Sequence, residues 1–211
     1  MLKLSGHVHV APDVHQLFDD LGSALIGAAE KAIEERGVFH LALSGGGTPE
    51  PFYMQLVVDP RYRQFPWEKT HIWIVDERCV PEDDAKSNIK MIRESLVCQL
   101  PIPEGFVHPM PVLADDPAGE YEQALSTAFD GMKLPGVPRI DFILLGMGGD
   151  AHTASLFPQS PALGITDRWI ACNDGERVVP PARVTMTYPL INVGREVAVN
   201  MSAAARRKRQ A

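Results

Sequence analysis

Twice along this chain a short, mostly apolar run ends directly in a glycine-rich turn. Phe39–Leu43 enters Ser44-Gly45-Gly46-Gly47-Thr48-Pro49, and Ile140–Leu145 enters Gly146-Met147-Gly148-Gly149-Asp150. Apolar runs without polar alternation predict strands covered on both faces, as in a parallel sheet with helices above and below. A further strand is predicted at His71–Asp76, and a short one at His7–Val10. Between them, Pro12–Arg36 carries apolar residues at spacings of three and four, with Gly37 as a stop signal. Helices are also expected over Asn88–Leu100 and Pro117–Phe129, separated by the proline-rich stretch Leu100–Pro111.

Strand–helix alternation of this kind predicts an α/β fold: one Rossmann-like domain over residues 1–202, its largely parallel central sheet flanked by helices on both faces. Residues 203–211, which include four basic side chains, are expected to form a frayed or disordered tail.

The net charge of -7 disfavours nucleic acid as the main partner, so an anionic ligand would need a locally basic pocket. No apolar stretch approaches the ~20 residues that span a bilayer, and no signal-like segment opens the chain. Three widely spaced cysteines predict reduced thiols in a cytoplasmic protein. There is no Cys-x-x-Cys or His-Glu-x-x-His, so no metal is expected.

In an open parallel sheet, ligands bind where strands give way to loops. The first candidate loop is Ser44, Gly45, Gly46, Gly47 and Thr48, whose converging amides before a helix suit phosphate. It is neither a Walker loop nor a dinucleotide fingerprint, and read alone it serves equally as a tight turn. The second is Asp76-Glu77-Arg78, where the arginine would hold phosphate or hydroxyls and the acids would orient it or meet sugar hydroxyls. The third contains Gly148, Asp150 and His152. An imidazole in such a turn can take a proton from water, and a carboxylate two residues away can fix its tautomer. Arg183, after a proline pair, is a candidate second phosphate contact, while Asp83 to Asn88 suggest a loop and helix cap.

Taken together, Leu43–Pro49, Asp76–Pro81 with Ser87-Asn88, and Leu144–Pro158 resemble the motif set of the glucosamine-6-phosphate isomerase/6-phosphogluconolactonase family, on its lactonase side. The run His152-Thr153-Ala154-Ser155-Leu156-Phe157-Pro158 separates that side from the deaminases, which usually carry a Phe-Asn-Glu-Pro-like segment after the histidine. Sugar-phosphate-sensing regulator domains share the fold but are expected to carry a DNA-binding region ahead of it.

The resemblance implies hydrolysis of 6-phospho-D-glucono-1,5-lactone, a step of the pentose phosphate pathway. His152 would activate water with Asp150 orienting it, and neither metal nor other cofactor would be needed. The implied partner is the phosphorylated sugar lactone, not nucleic acid or membrane, and the expected assembly is a monomer or homodimer.

Two positions depart from the family pattern. Ala151 stands where glycine is common, and a positive φ there would strain it. After Val199 the family usually has a lysine-containing turn, then another helix and strand; here Arg206 is the candidate replacement for that lysine. A shortened end would expose a sheet edge or require a partner to cover it.

Overall fold

A computed structural model of the protein describes residues 6–130, 136–175 and 178–201. Helix α1 (Val14–Arg36) begins at the Asp13 cap, whose carboxylate accepts from Gln16 N at 2.9 Å, and ends at Gly37. Its inward stripe, including Phe18, Leu21, Leu25, Ala29 and Ala32, packs into the hydrophobic core.

Strand β1 (Phe39–Leu43) is buried along its whole length. It pairs in parallel with β2 (Thr70–Ile74) on one side and β5 (Phe142–Gly146) on the other. Beyond β2 lies the two-residue β4 (Val107–His108), and beyond β5 lies β8 (Glu196–Asn200), giving the order β4-β2-β1-β5-β8 with every pairing parallel. Helices α2 (Glu50–Val58), α3 (Asn88–Ser95), α4 (Pro117–Asp130) and the one-turn α5 (Tyr188–Ile191) complete the helical elements.

The chain moves from β1 toward β2 and β4, then returns to the other side of β1 to form β5. The carboxyl ends of β1 and β5 therefore flank a topological switch point, where open α/β sheets form a crevice.

The sequence does not foresee a second, antiparallel sheet, ordered β3-β7-β6, from β3 (Asp76–Arg78), β7 (Arg183–Met186) and β6 (Ile170–Cys172). The predicted strand His71–Asp76 is consequently two strands. Val75 forms the corner: its N–H still donates to Leu43 O in the parallel sheet, while its carbonyl accepts from Met186 N in the other.

The helix expected to reach Leu100 stops at Ser95, because Leu96 leaves helical geometry (φ -137°, ψ -66°) before a 3-10 turn at Val97–Gln99. His7–Val10 forms no strand. Both flanks of β1 are already occupied, and Val8 and Val10 stay 65% and 84% exposed. Strand β8 is the outermost beside β5 among the described residues, with Val197 and Val199 partly exposed. The basic tail expected over residues 203–211 lies outside the described residues. No helix among the described residues is long and apolar enough to cross a membrane.

Away from the switch point, a stack of imidazoles crosses the opening turns of three strands. His40 on β1 is in register with His71 on β2, and His108 on β4 is in register with Trp73. His40 and His71 stack at 4.6 Å, Trp73 and His108 at 3.8 Å, and Phe129 from α4 covers His40 at 4.2 Å. Trp73 Nε1 donates to His40 Nδ1 at 3.0 Å, and His71 Nδ1 lies 2.9 Å from His108 Nε2. Burial lowers all three pKa values, aided for His40 and His108 by neighbouring imidazoles, to about 2 for His40 and about 4 for His108.

Candidate active site

The crevice at the switch point is a pocket. Its wall after β1 is Ser44, Gly45, Gly46, Gly47, Thr48 and Pro49; its wall after β5 is Gly146, Met147, Gly148, His152 and Ala154. Asp76 and Arg78 from β3 and Asn88 from α3 close the remaining side. Three loops separated in sequence by up to about a hundred positions thus meet because all leave the carboxyl edge of one sheet.

The loop after β1 is held from beneath. Ser44 N donates to Leu144 O on β5, its carbonyl accepts from Tyr53 Oη at 2.7 Å, and Glu50 N closes back onto Gly46 O. The amides of Gly46 to Thr48 sit at the amino end of α2, whose dipole favours an anion.

β3 carries two carboxylates with different tasks. Glu77, 2% exposed, accepts from Arg78 N, Asn88 N and Ile89 N at 2.7–2.8 Å, and from Ser87 Oγ at 3.3 Å. It caps the amino end of α3 and does not line the pocket. Asp76 does line it: one carboxylate oxygen accepts from Ser155 Oγ at 2.7 Å, and burial pushes its pKa up against the pull of that bond and of Arg78, Arg183 and His152. Ser155 is itself fixed by Thr185 and Asn173, so the loop after β5 is pinned to the antiparallel sheet.

His152 Nδ1 lies 2.5 Å from Asp150 Oδ1, and Phe157 packs against the ring at 4.9 Å. Burial alone would raise the Asp150 pKa, but the hydrogen bond and charge of His152 outweigh it and hold the carboxyl below its ordinary value. Asp150 itself is exposed and does not line the pocket. Gly148 is required by this arrangement, since a Cβ there would fall 2.2 Å from His152 Cε1.

The loop is strained. Ala151 has φ 71° and Ala154 φ 50°, both in the left-handed region. Replacing Ala151 with glycine should add about 0.5–1 kcal/mol to unfolding stability, read from urea denaturation, without an order-of-magnitude change in activity. A loss of stability would mean that the left-handed turn is not costly here.

Arg183 is placed differently from the sequence expectation. It opposes Arg78 across β3 and β7, but it is 6% exposed, absent from the pocket wall, and donates to the carbonyls of Pro180 and Ala182. Burial, then the Arg78 charge, lowers its pKa. Arg206 lies outside the described residues. Sequence reading missed Asn88 as a wall residue because its position just after Ser87 reads as helix capping alone. Among the described residues, no group of three or more His, Cys, Asp or Glu side chains is arranged to hold a metal ion.

A family model described as glucosamine-6-phosphate isomerases/6-phosphogluconolactonase matches residues 12–211. The chain belongs to this family. A 6-phosphogluconolactonase of Synechocystis sp. is 44% identical over 181 residues, covering 83% of this chain and 71% of that one. The corresponding enzyme of Nostoc sp. is 39% identical over 204 residues, covering 95% and 81%.

Among solved structures, the 6-phosphogluconolactonase of Thermotoga maritima superposes with a TM-score of 0.74 at 30% identity, covering 86% of this chain and 78% of that one. That of Trypanosoma cruzi gives 0.78 at 28%, covering 90% and 77%. The central parallel sheet flanked by helices is thus the fold of these enzymes.

Proposed function

We propose that this chain hydrolyses 6-phospho-D-glucono-1,5-lactone to 6-phospho-D-gluconate, with His152 as general base. The observation that carries this reading is His152, paired with Asp150 and set on the wall of a pocket whose other sides offer glycine amides and a guanidinium. With Nδ1–H directed at Asp150, the lone pair on Nε2 is free to accept a proton from water.

The water oxygen then bonds to the lactone carbonyl carbon, and the carbonyl electrons move onto its oxygen. Backbone N–H groups of the glycine loops are the natural donors to that oxyanion. Collapse restores the carbonyl and breaks the bond to the ring oxygen, which takes the proton from the His152 imidazolium. Asp150 holds the imidazole in the required tautomer and favours its charged form during the cycle. No step in this scheme calls for a metal or an organic cofactor.

The pocket is polarised to suit such a ligand. The loop amides of Gly45–Thr48 and the Arg78 guanidinium are donors for phosphate, with Arg183 reinforcing the positive charge from behind Arg78. Asp76, as a carboxylate, repels phosphate and instead accepts from a sugar hydroxyl.

Replacing Arg78 with alanine should raise KM for the phosphorylated lactone about 10–100-fold, as expected for a lost charge-assisted contact. Hydrolysis of unphosphorylated glucono-lactone should change little. Equal loss on both substrates in steady-state assays would remove Arg78 from the phosphate site.

A further inference from the structure

One wall of the pocket carries buried acceptors that the protein leaves unused. Asn88 is 2% exposed, lines the pocket, and its Oδ1 has no protein hydrogen-bond partner among the described residues. The orientation of this carboxamide is determined by chemistry. A backbone carbonyl only accepts, so the atom 2.7 Å from Asp76 O is the amino group Nδ2.

Oδ1 is thereby turned toward Gly45, where a Cβ would lie only 1.8 Å away. With glycine at that position the loop after β1 packs against the carboxamide oxygen and offers it no hydrogen-bond donor. Ser44 Oγ, 4% exposed and also on the pocket wall, is likewise without a partner among the described residues. Helix α3 does not need the Asn88 side chain for its start, since Ser87 Oγ and the Glu77 carboxylate already accept its leading N–H groups.

A buried acceptor left unpaired loses its hydration with nothing in return, so such an atom is retained at a cost unless something meets it. We infer that Asn88 is a specificity-determining residue whose Oδ1 accepts a hydrogen bond from one hydroxyl of the phosphorylated sugar. This rests on the reading of the pocket as a sugar-phosphate site. The ligand's own chemistry selects the group: phosphate oxygens at neutral pH, the lactone carbonyl and the ring oxygen are acceptors, and the hydroxyls alone can donate. Asp76, whose backbone anchors Asn88, presents a further acceptor on the same side.

The test is calorimetric binding of 6-phospho-D-gluconate and of three analogues, each lacking one of the hydroxyls it shares with the lactone, at carbon 2, 3 or 4. For the intact chain, one analogue should bind roughly 10-fold or more weakly than the parent, because it strands a buried acceptor. In Asn88→Ala that one difference should collapse, while the other two analogues keep their original ratios to the parent. If Asn88→Ala weakens the parent and every analogue by a common factor, Asn88 is only a support for Asp76 and the inference is overturned. It is overturned without any variant if the intact chain binds all three analogues as well as the parent. Should Asn88→Ala not fold, Asn88→Ser carries the same comparison. Failure of the lactonase reading would show separately, as binding without accelerated hydrolysis.

Discussion

His152→Ala is expected to lower the enzyme-catalysed component of lactone hydrolysis by about 10²–10⁴-fold, the usual contribution of a positioned acid–base group. The loss should fall on kcat with KM little changed, because the role proposed for the ring is to act on water and not to hold phosphate. The fold should survive. The His152 side chain is 27% exposed, and its hydrogen bond to Asp150 joins neighbours within one turn, not separate elements. Thermal unfolding close to that of the parent would separate a chemical loss from a structural one. Because the lactone also opens spontaneously, the rate without protein must be subtracted before the comparison. A variant with undiminished catalysed rate would remove His152 from the mechanism.

The second large effect is on stability and lies far from the pocket. His40, His71 and His108 are held neutral in the folded protein, with pKa values depressed below that of a free imidazole. The unfolded chain takes up protons on these groups first. Their stabilising contribution is therefore complete above the free-imidazole value of about 6.5 and is lost progressively as pH falls below it. For His40, depressed to about 2, the loss by pH 4 is on the order of 3 kcal/mol.

Buried Asp76, Glu77 and Asp141 act in the opposite direction, since burial raises their pKa values and protonation then favours the folded state. The histidine contribution must accordingly be isolated by difference. His40→Gln keeps an acceptor for Trp73 Nε1 but cannot take a proton. Its unfolding free energy should fall less steeply than the parent's between pH 6.5 and 4, by the amount His40 contributes. Parallel curves for the two proteins would show that His40 does not control acid lability.

The inner strands β1 and β5 were legible because they are buried on both faces, so Phe39–Leu43 matches β1 at both ends and Ile140–Leu145 lies within two residues of β5; the two-residue β4, inside the proline-rich stretch, was not. The antiparallel sheet was not. Its strands are three or four residues long, too short to show a periodicity, and Val75 turns the corner without a glycine or proline to mark it. Predicted His7–Val10 had the right composition but no free flank on β1, and pairing partners are not written in a local sequence.

In the site, the two glycine loops and the Asp76–Arg78 segment announced themselves by ending apolar runs. What sequence could not convey was depth. Arg183 is buried behind the wall, Asp150 is exposed but off it, Glu77 is consumed in capping α3, and Asn88 reaches the pocket from a position that reads as a helix start. The alanine at 151 was recognisable as a departure, and its φ of 71° makes it a strained one.

The central claim is that this pocket catalyses opening of a phosphorylated lactone. Its most direct test is a pH-stat measurement of acid release from freshly generated 6-phospho-D-glucono-1,5-lactone, with and without the intact chain. A saturable, protein-dependent rate above the spontaneous one is expected, with no ammonia release from glucosamine 6-phosphate. A rate equal to the spontaneous one, with ammonia released instead, would contradict it.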